Sequence, residues 1–285
     1  MALRIIKRIS RRGLERDSVA LRAGTHVAMH KYIITFLATI VAIEGLASYR
    51  HASAREAPIA FQNMDRELEQ SRSVAIFEAP VNPNLPSVLI IGDSISISYT
   101  LPVRQRLEGI ANVIRPVANC ESTLTILKKL DQWLGQTRWS VIHFNAGLHD
   151  LEHVQSENIA PGKQMMVPVE EGPHWVSIES YRSNLEKIVA RLKKTGAKLV
   201  FATTTPVPAG AKSRLPEDVA RYNEAALAIM RDQGVEIDDL YSAAVESADR
   251  FQKPHDVHFF REGSDILADS VAASIRAPLT ASKML

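Results

Sequence analysis

Three side chains in this sequence have the types needed for nucleophilic catalysis. Ser94 ends the run VLIIGDSIS, an aliphatic stretch that stops at Gly92-Asp93-Ser94. Asp256 and His258 lie in KPHDVHFFREG, shortly before a final helical pattern. A serine hydroxyl becomes a nucleophile when a base takes its proton, and that base usually needs an acid to orient it. A spacing of two puts Asp256 and His258 on the same side of an extended loop, so direct contact between them is feasible. The chain order is then Ser94, Asp256, His258. Further polar residues cluster after other apolar runs: Asn119 to Thr123, and Gly147-Leu148-His149-Asp150.

These residues need a scaffold. Short apolar runs at Ser87–Ile91, Val113–Val117, Val141–Asn145, Lys198–Thr203 and Val235–Ile237 read as strands, alternating with helical patterns. Leu127, Leu130 and Leu134 share one helix face, closed by Gly135. Tyr181, Leu185, Ile188, Val189 and Leu192 share a second, closed by Gly196, and Val219, Tyr222, Ala226, Ile229 and Met230 a third, closed by Gly234. A last helix spans about Arg261 to Ile275. Strands alternating with helices predict an α/β domain, a five-stranded parallel sheet covered on both faces. Ligands of such sheets bind at the carboxyl ends of the strands, where Ser94, Gly147–Asp150 and Thr203–Pro206 would converge.

With these residues placed, the stretch from about Ser87 to Ala277 resembles the SGNH (GDSL-type) hydrolases. The resemblance implies a three-layer α/β/α flavodoxin-like fold and hydrolysis of ester, thioester or related acyl bonds. Gly92-Asp93-Ser94 matches the nucleophile motif, and Asp256-Val257-His258 the C-terminal one. It implies Ser94 as nucleophile, His258 as base and Asp256 as its orienter. The oxyanion hole would comprise the Ser94 and Glu121 backbone N–H groups and the His149 side chain. Asp93, Asn119 and Asp150 would support the site. No metal or organic cofactor is implied. Three positions depart from the family pattern. His255 stands three before the base, where Asp is usual; His149 replaces the oxyanion Asn; and no Gly occurs between Asn119 and Thr123, where one normally donates its N–H. An imidazole N–H can donate as an amide does. The Glu121 carboxylate must point away from the developing charge, and Ser122 or Thr123 can equally N-cap the following helix.

The 285-residue chain, 46% hydrophobic, can bury a substantial core. Its net charge of +2 is unevenly distributed. Residues 1–31 hold eight Lys/Arg against two acids and residues 32–54 balance, so the remainder carries about −4. That argues against a nucleic-acid groove in the main domain. The single cysteine, Cys120, rules out an internal disulfide and a cysteine cluster, and reads as a small semi-buried hydrophobe. The apolar run Tyr32 to Ile43 is shorter than the roughly 20 residues a membrane span needs. With a basic flank before it and Ala52-Ser53-Ala54 after it, residues 29–54 read as an export signal cleaved near Ala54. The expected organisation is a basic N-terminus and signal over 1–54, a linker over 55–85, the hydrolase-like domain over 86–278 and a tail over 279–285.

The expectation is a secreted or periplasmic serine esterase acting on a small-molecule or carbohydrate ester, held at the membrane only if its N-terminal segment is uncleaved. The alternatives are a catalytically degenerate binder of a glycan or acyl ligand, and a thioesterase. The long insert Leu151–Ser177 is expected to overhang Ser94 and help select the substrate. Trp133 and Trp139 are expected in the core.

Overall fold

The aliphatic run before Ser94 is buried on both faces: Val88, Leu89, Ile90 and Ile91 are each no more than 1% exposed. That is the burial of a central strand in a parallel sheet. A computed structural model describes residues 75–78 and 80–281. The segment 1–54, with its expected signal, lies outside the described residues, as does most of the expected linker. Five strands, β1 (Ser87–Ile91), β2 (Asn112–Ile114), β3 (Trp139–Phe144), β4 (Lys198–Ala202) and β5 (Glu236–Asp238), form one sheet in the order β2-β1-β3-β4-β5. All four pairings are parallel.

The intervening helices are α1 (Ser94–Arg106), α2 (Thr123–Leu134), α3 (Ile178–Lys193) and α4 (Pro216–Asp232). The short α5 (Leu240–Val245) and α6 (Ala248–Phe251) precede the long α7 (Arg261–Ala281). Helices α1 and α7 pack together, while α2, α3 and α4 pack in sequence. With right-handed crossovers this gives the three-layer α/β/α arrangement of a flavodoxin-like domain. Strand order reverses between β1 and β3, so their carboxyl ends border the crevice where such sheets bind ligands.

Several boundaries differ from the sequence expectation for physical reasons. Strand β2 ends at Ile114 because Arg115 turns inward and Pro116 follows, with no amide to donate. Helix α1 opens on Ser and Ile alternating through SISIS as in a strand, which masks the helical spacing of Ile95, Tyr99 and Val103. It forms because Asp93 caps it and Ile95, Tyr99 and Val103 bury one side. Helix α7 runs on to Ala281 and buries Leu279, so the boundary at 278 falls inside it. The end of the expected linker also packs on the domain: Ile76 is buried, Arg104 donates to the Ala75 carbonyl, and Arg115 lies 5.6 Å from the Phe77 ring centre. Trp139 is buried and Trp133 packs against the core, as expected, whereas Cys120 is fully rather than partly buried. Among the described residues no helix is long and apolar enough to cross a membrane.

Candidate active site

The β1–α1 junction fixes the position of Ser94. A Cβ on Gly92 would fall 2.9 Å from Ser96 Cβ, so only glycine lets the strand pass this closely over the first turn of the helix. Asp93 is buried and is the N-cap of α1, its carboxylate accepting the Ile95 N–H at 2.9 Å. Ser94 is thereby held in the first helical turn, where backbone amides have no intrahelical partner and the helix dipole is positive. Arg115 ties this junction to the loop after β2. Its guanidinium donates to Ser96 Oγ (2.9 Å), to the Gly92 carbonyl (3.3 Å) and to the Ala118 carbonyl (3.1 Å).

Asp256 and His258 arrive on the loop between α6 and α7. Val257 between them is buried, and the chain turns rather than extends here: the Asp256 N–H donates to the Lys253 carbonyl at 3.2 Å, and the Asp256 carboxylate forms an Asx turn with the His258 amide. Asp256 Oδ1 accepts from His258 Nδ1 at 2.6 Å and from the His258 backbone N–H at 3.1 Å. With Nδ1 carrying a proton toward the carboxylate, Nε2 presents its lone pair to Ser94 Oγ, 2.8 Å away. Burial pushes the Asp256 carboxyl up, but the side-chain and backbone hydrogen bonds from His258, with the charges of His258 and Lys253, bring it below its ordinary value. A separation of two residues therefore suffices for the contact. His255, one place earlier, has a left-handed backbone (φ 59°) and donates from Nδ1 to the Ala209 carbonyl at 2.8 Å.

The loop after β2 corrects one expectation. Glu121 does adopt the left-handed backbone for which glycine is favoured, at φ 49°. Its N–H, however, donates to Asn119 Oδ1 at 3.0 Å, an Asx turn that supports the unusual backbone. Its carboxylate accepts from Thr125 Oγ1 at 2.8 Å. Glu121 is not among the residues that line the cleft at Ser94, whereas Asn119 is.

His149 lines the same cleft from the loop after β3. Gly147 makes that loop possible: it sits at φ 148°, and a Cβ there would lie 2.1 Å from Thr204 Oγ1. His149 Nδ1 is buried and faces Glu152 Oε2 at 3.6 Å. Glu152 is bonded in turn to Arg214 Nη2 at 2.8 Å, and Arg214 Nε donates to the Leu148 carbonyl at 2.8 Å. Burial raises the Glu152 carboxyl, but its neighbours His149 and Arg214 and the hydrogen bond from Ser213 outweigh it and leave it below its ordinary value. Glu152, Arg214 and Arg115 escaped sequence reading. Their only signal was charge inside otherwise apolar or loop segments.

Asp150 supports the site from below. It is fully buried, and it accepts the Thr123 N–H at 3.0 Å and the Thr123 hydroxyl. Ser122 occupies the N-cap position of α2 without a side-chain bond, so the cap comes from a different loop. Burial pushes the Asp150 carboxyl up to about 6 despite those bonds. A carboxyl raised in the folded state takes up a proton on folding between its unfolded and folded pKa. Its ionised form therefore penalises the fold above pH 6, by on the order of 2–3 kcal/mol. Relative to Asp150→Asn, the wild type should gain stability as pH falls from about 7 to about 5. Urea unfolding of both proteins at the two pH values measures this; a relative loss would mean that the fold stabilises the carboxylate.

The cleft encloses about 590 Å³. Ser94, His149 and His258 face it from the sheet side, and Met165 and Met166 from the insert. These methionines are 65% and 67% exposed, while Leu151, Val154, Trp175 and Val176 at the base of the insert are fully buried. Antiparallel bridges between His153 and His174 and between Val154 and Met166 give the insert its hairpin-like path beside Ser94.

The GDSL-like Lipase/Acylhydrolase family model matches residues 90–266. No curated protein matches in sequence. Among solved structures, a lipase/acylhydrolase from Enterococcus faecalis is similar at 16% identity, over 67% of this chain and 96% of that one, with a TM-score of 0.54. The acetyl xylan esterase AlAXEase is similar at 14% identity, over 66% and 99%, with a TM-score of 0.54. A variant of Axe2, an acetyl-xylooligosaccharide esterase from Geobacillus, is similar at 14% identity, over 67% and 94%, with a TM-score of 0.50. At these identities the likeness is one of fold.

Proposed function

The chain belongs to the GDSL-like lipase/acylhydrolase family of ester-hydrolysing enzymes, and from that premise we propose that it is an exported serine esterase working through an acyl-enzyme on Ser94. The observation that carries this reading is the unbroken relay from Ser94 Oγ to His258 Nε2 (2.8 Å) and from His258 Nδ1 to Asp256 (2.6 Å). Ser94 Oγ attacks the acyl carbonyl as His258 Nε2 takes its proton. The tetrahedral intermediate collapses, and His258 returns that proton to the departing alcohol oxygen. Water then attacks the acyl-enzyme, again giving a proton to His258, and acid and free Ser94 result. Asp256 keeps the ring in the working tautomer and stabilises the imidazolium.

The oxyanion is received by the Ser94 N–H at the start of α1 and by His149, with Asn119 beside them. His149 supplies an imidazole N–H donor where an amide is usual. His149→Ala should lower kcat by about 10²–10³-fold, and His149→Asn should recover part of the loss. Steady-state kinetics on a small ester decide it; an unchanged kcat in the alanine variant removes His149 from the oxyanion hole.

The substrate we assign is a short acyl ester, such as acetyl, of a carbohydrate. The cleft wall is mixed, with thioethers from Met165 and Met166 and charge from Lys212, Arg214 and Glu152. That suits a small apolar acyl group on a polar alcohol. Two of the similar folds are acetyl-carbohydrate esterases, which supports the same class. The test is covalent labelling by a fluorophosphonate probe together with acetate release from acetylated oligosaccharides. Labelling at Ser94 and acetate release are expected. An unlabelled wild-type protein would sink the mechanism, and labelling without acetate release would sink the substrate class.

A further inference from the structure

Outside the Ser94 relay, three side chains far apart in the chain converge. His153 and His174 stand at the two ends of the insert, joined by an antiparallel bridge, and Asp218 lies in the first turn of α4. One ligating atom of each lies within 4.8 Å of the other two. His174 Nε2 is 2.8 Å from Asp218 Oδ2, and His153 Nε2 is 3.9 Å from the same oxygen. Asp218 is 3% exposed and His153 8%.

The hydrogen-bond pattern singles this cluster out. His153 Nδ1 lies 2.7 Å from the Gly172 carbonyl, which can only accept, so Nδ1 donates there. Among the described residues, the buried Nε2 has no hydrogen-bond partner. It stands 3.9 Å from the buried Asp218 carboxylate, too far for a hydrogen bond, and a cation between them would satisfy both. Hydrogen bonding pairs His174 Nε2 with Asp218 but leaves His153 Nε2 unsatisfied.

We propose that His153, His174 and Asp218 form a zinc site that fastens the insert to α4. Two imidazoles and one carboxylate are a borderline donor set, suited to Zn²⁺ rather than to Mg²⁺ or Ca²⁺, which take oxygen ligands. Zn–N and Zn–O bonds of about 2.0–2.2 Å place tetrahedral ligand atoms roughly 3.3 Å apart. The present separations of 2.8 and 3.9 Å lie on either side of that value, so each need change by only about half an ångström. Coordination moves the His174 proton from Nε2 to Nδ1. The outer partners are in place: the Gly172 carbonyl holds His153 Nδ1, and Arg221 Nη1 bonds the second Asp218 oxygen at 3.0 Å. The His174 side chain is 22% exposed, which leaves a position open for water.

The consequence reaches the cleft. His153 follows Glu152, which faces His149, and its carbonyl accepts the Val167 N–H at 3.0 Å, next to Met166. Metal binding would hold the insert, and with it one wall of the cleft. The family resemblance implies no metal, and no local pattern in the sequence brings 153, 174 and 218 together.

The test uses the full-length protein, stripped with a chelator and then freed of it. Zn²⁺ is titrated in competition with a chromophoric chelator, and Co²⁺ is added separately to read its visible absorption. About one equivalent should bind, with the intense Co²⁺ bands of a tetrahedral site. Affinity should fall on the order of 10²-fold in His174→Ala and in Asp218→Asn, and stay unchanged in Ser94→Ala. Absence of stoichiometric binding by the wild type, or affinity undiminished in both ligand variants, overturns the site. Because Asp218 is buried and its variant could unfold, the wild-type Co²⁺ spectrum serves independently: absence of tetrahedral bands also overturns it.

Discussion

Ser94→Ala lowers kcat for ester hydrolysis on the order of 10⁴–10⁶-fold, with little change in KM or in the unfolding midpoint. The size follows from what is lost. Without Oγ, no bond to the acyl carbon can form, and the proton accepted by His258 Nε2 across 2.8 Å no longer exists. What remains is binding and the oxyanion donors, which act on a water rather than on a positioned alkoxide. The fold should hardly register the change, because the one hydrogen bond removed joins part-buried groups and contributes about 1 kcal/mol. Asp93, Gly92 and Arg115, which shape the turn, are untouched. Hydrolysis of a chromogenic acetyl ester, with urea unfolding as control, measures both halves. A variant retaining a tenth of wild-type turnover would place the nucleophile elsewhere.

Asp256→Asn lowers kcat by about 10²–10⁴-fold. The carboxylate oxygen that accepts from both the His258 ring and the His258 amide sets ring rotation and tautomer together. An amide in its place can turn its NH₂ toward Nδ1 and so stabilise the tautomer that puts the proton on Nε2, the atom that must accept from Ser94. Asp256→Ala, which leaves the ring unheld but imposes no wrong tautomer, should lose no more than the asparagine variant. Because the Asp256 side chain is 44% exposed, either change should cost little stability. The pH dependence has a definite sign. The Asp256 carboxyl lies below its ordinary value in the folded protein. Its contribution is therefore present above the ordinary carboxylate range and is lost as pH falls through the lowered value. Urea unfolding of the wild type and Asp256→Asn, compared as pH falls below the ordinary carboxylate range, reads this; an asparagine variant with wild-type kcat would show that Asp256 does not orient the base.

Much of the molecule was legible in the sequence because it depends on neighbours in the chain. The aliphatic run before Ser94 can only be a strand buried on both faces, and the glycines at 135, 196 and 234 end helices whose apolar stripes are visible by eye. A strand–helix alternation then forces a parallel sheet, and the sheet forces Ser94 and the loop at 147–150 to its carboxyl edge. The Asp256–His258 contact was expected from an extended loop, but the loop turns at 254–257 and the contact comes from an Asx turn between the two residues. Helix α1 was not legible: SISIS has the period of a strand, and only the Asp93 cap and the packing of Tyr99 and Val103 make it helical.

Whatever depends on distant residues was decided by the tertiary structure alone. The cap of α2 comes from Asp150, across a loop, rather than from the adjacent Ser122. The expected Glu121 amide is occupied by Asn119, and His149 is faced by a glutamate that is itself held by Arg214. His153, His174 and Asp218 meet only because the insert folds back onto α4. Sequence periodicity records which face of an element is apolar; it carries no information on which polar groups from separate elements share one buried volume. In this protein the candidate nucleophile Ser94 and candidate base His258 were therefore marked by local pattern, and the groups that surround them were set by long-range packing.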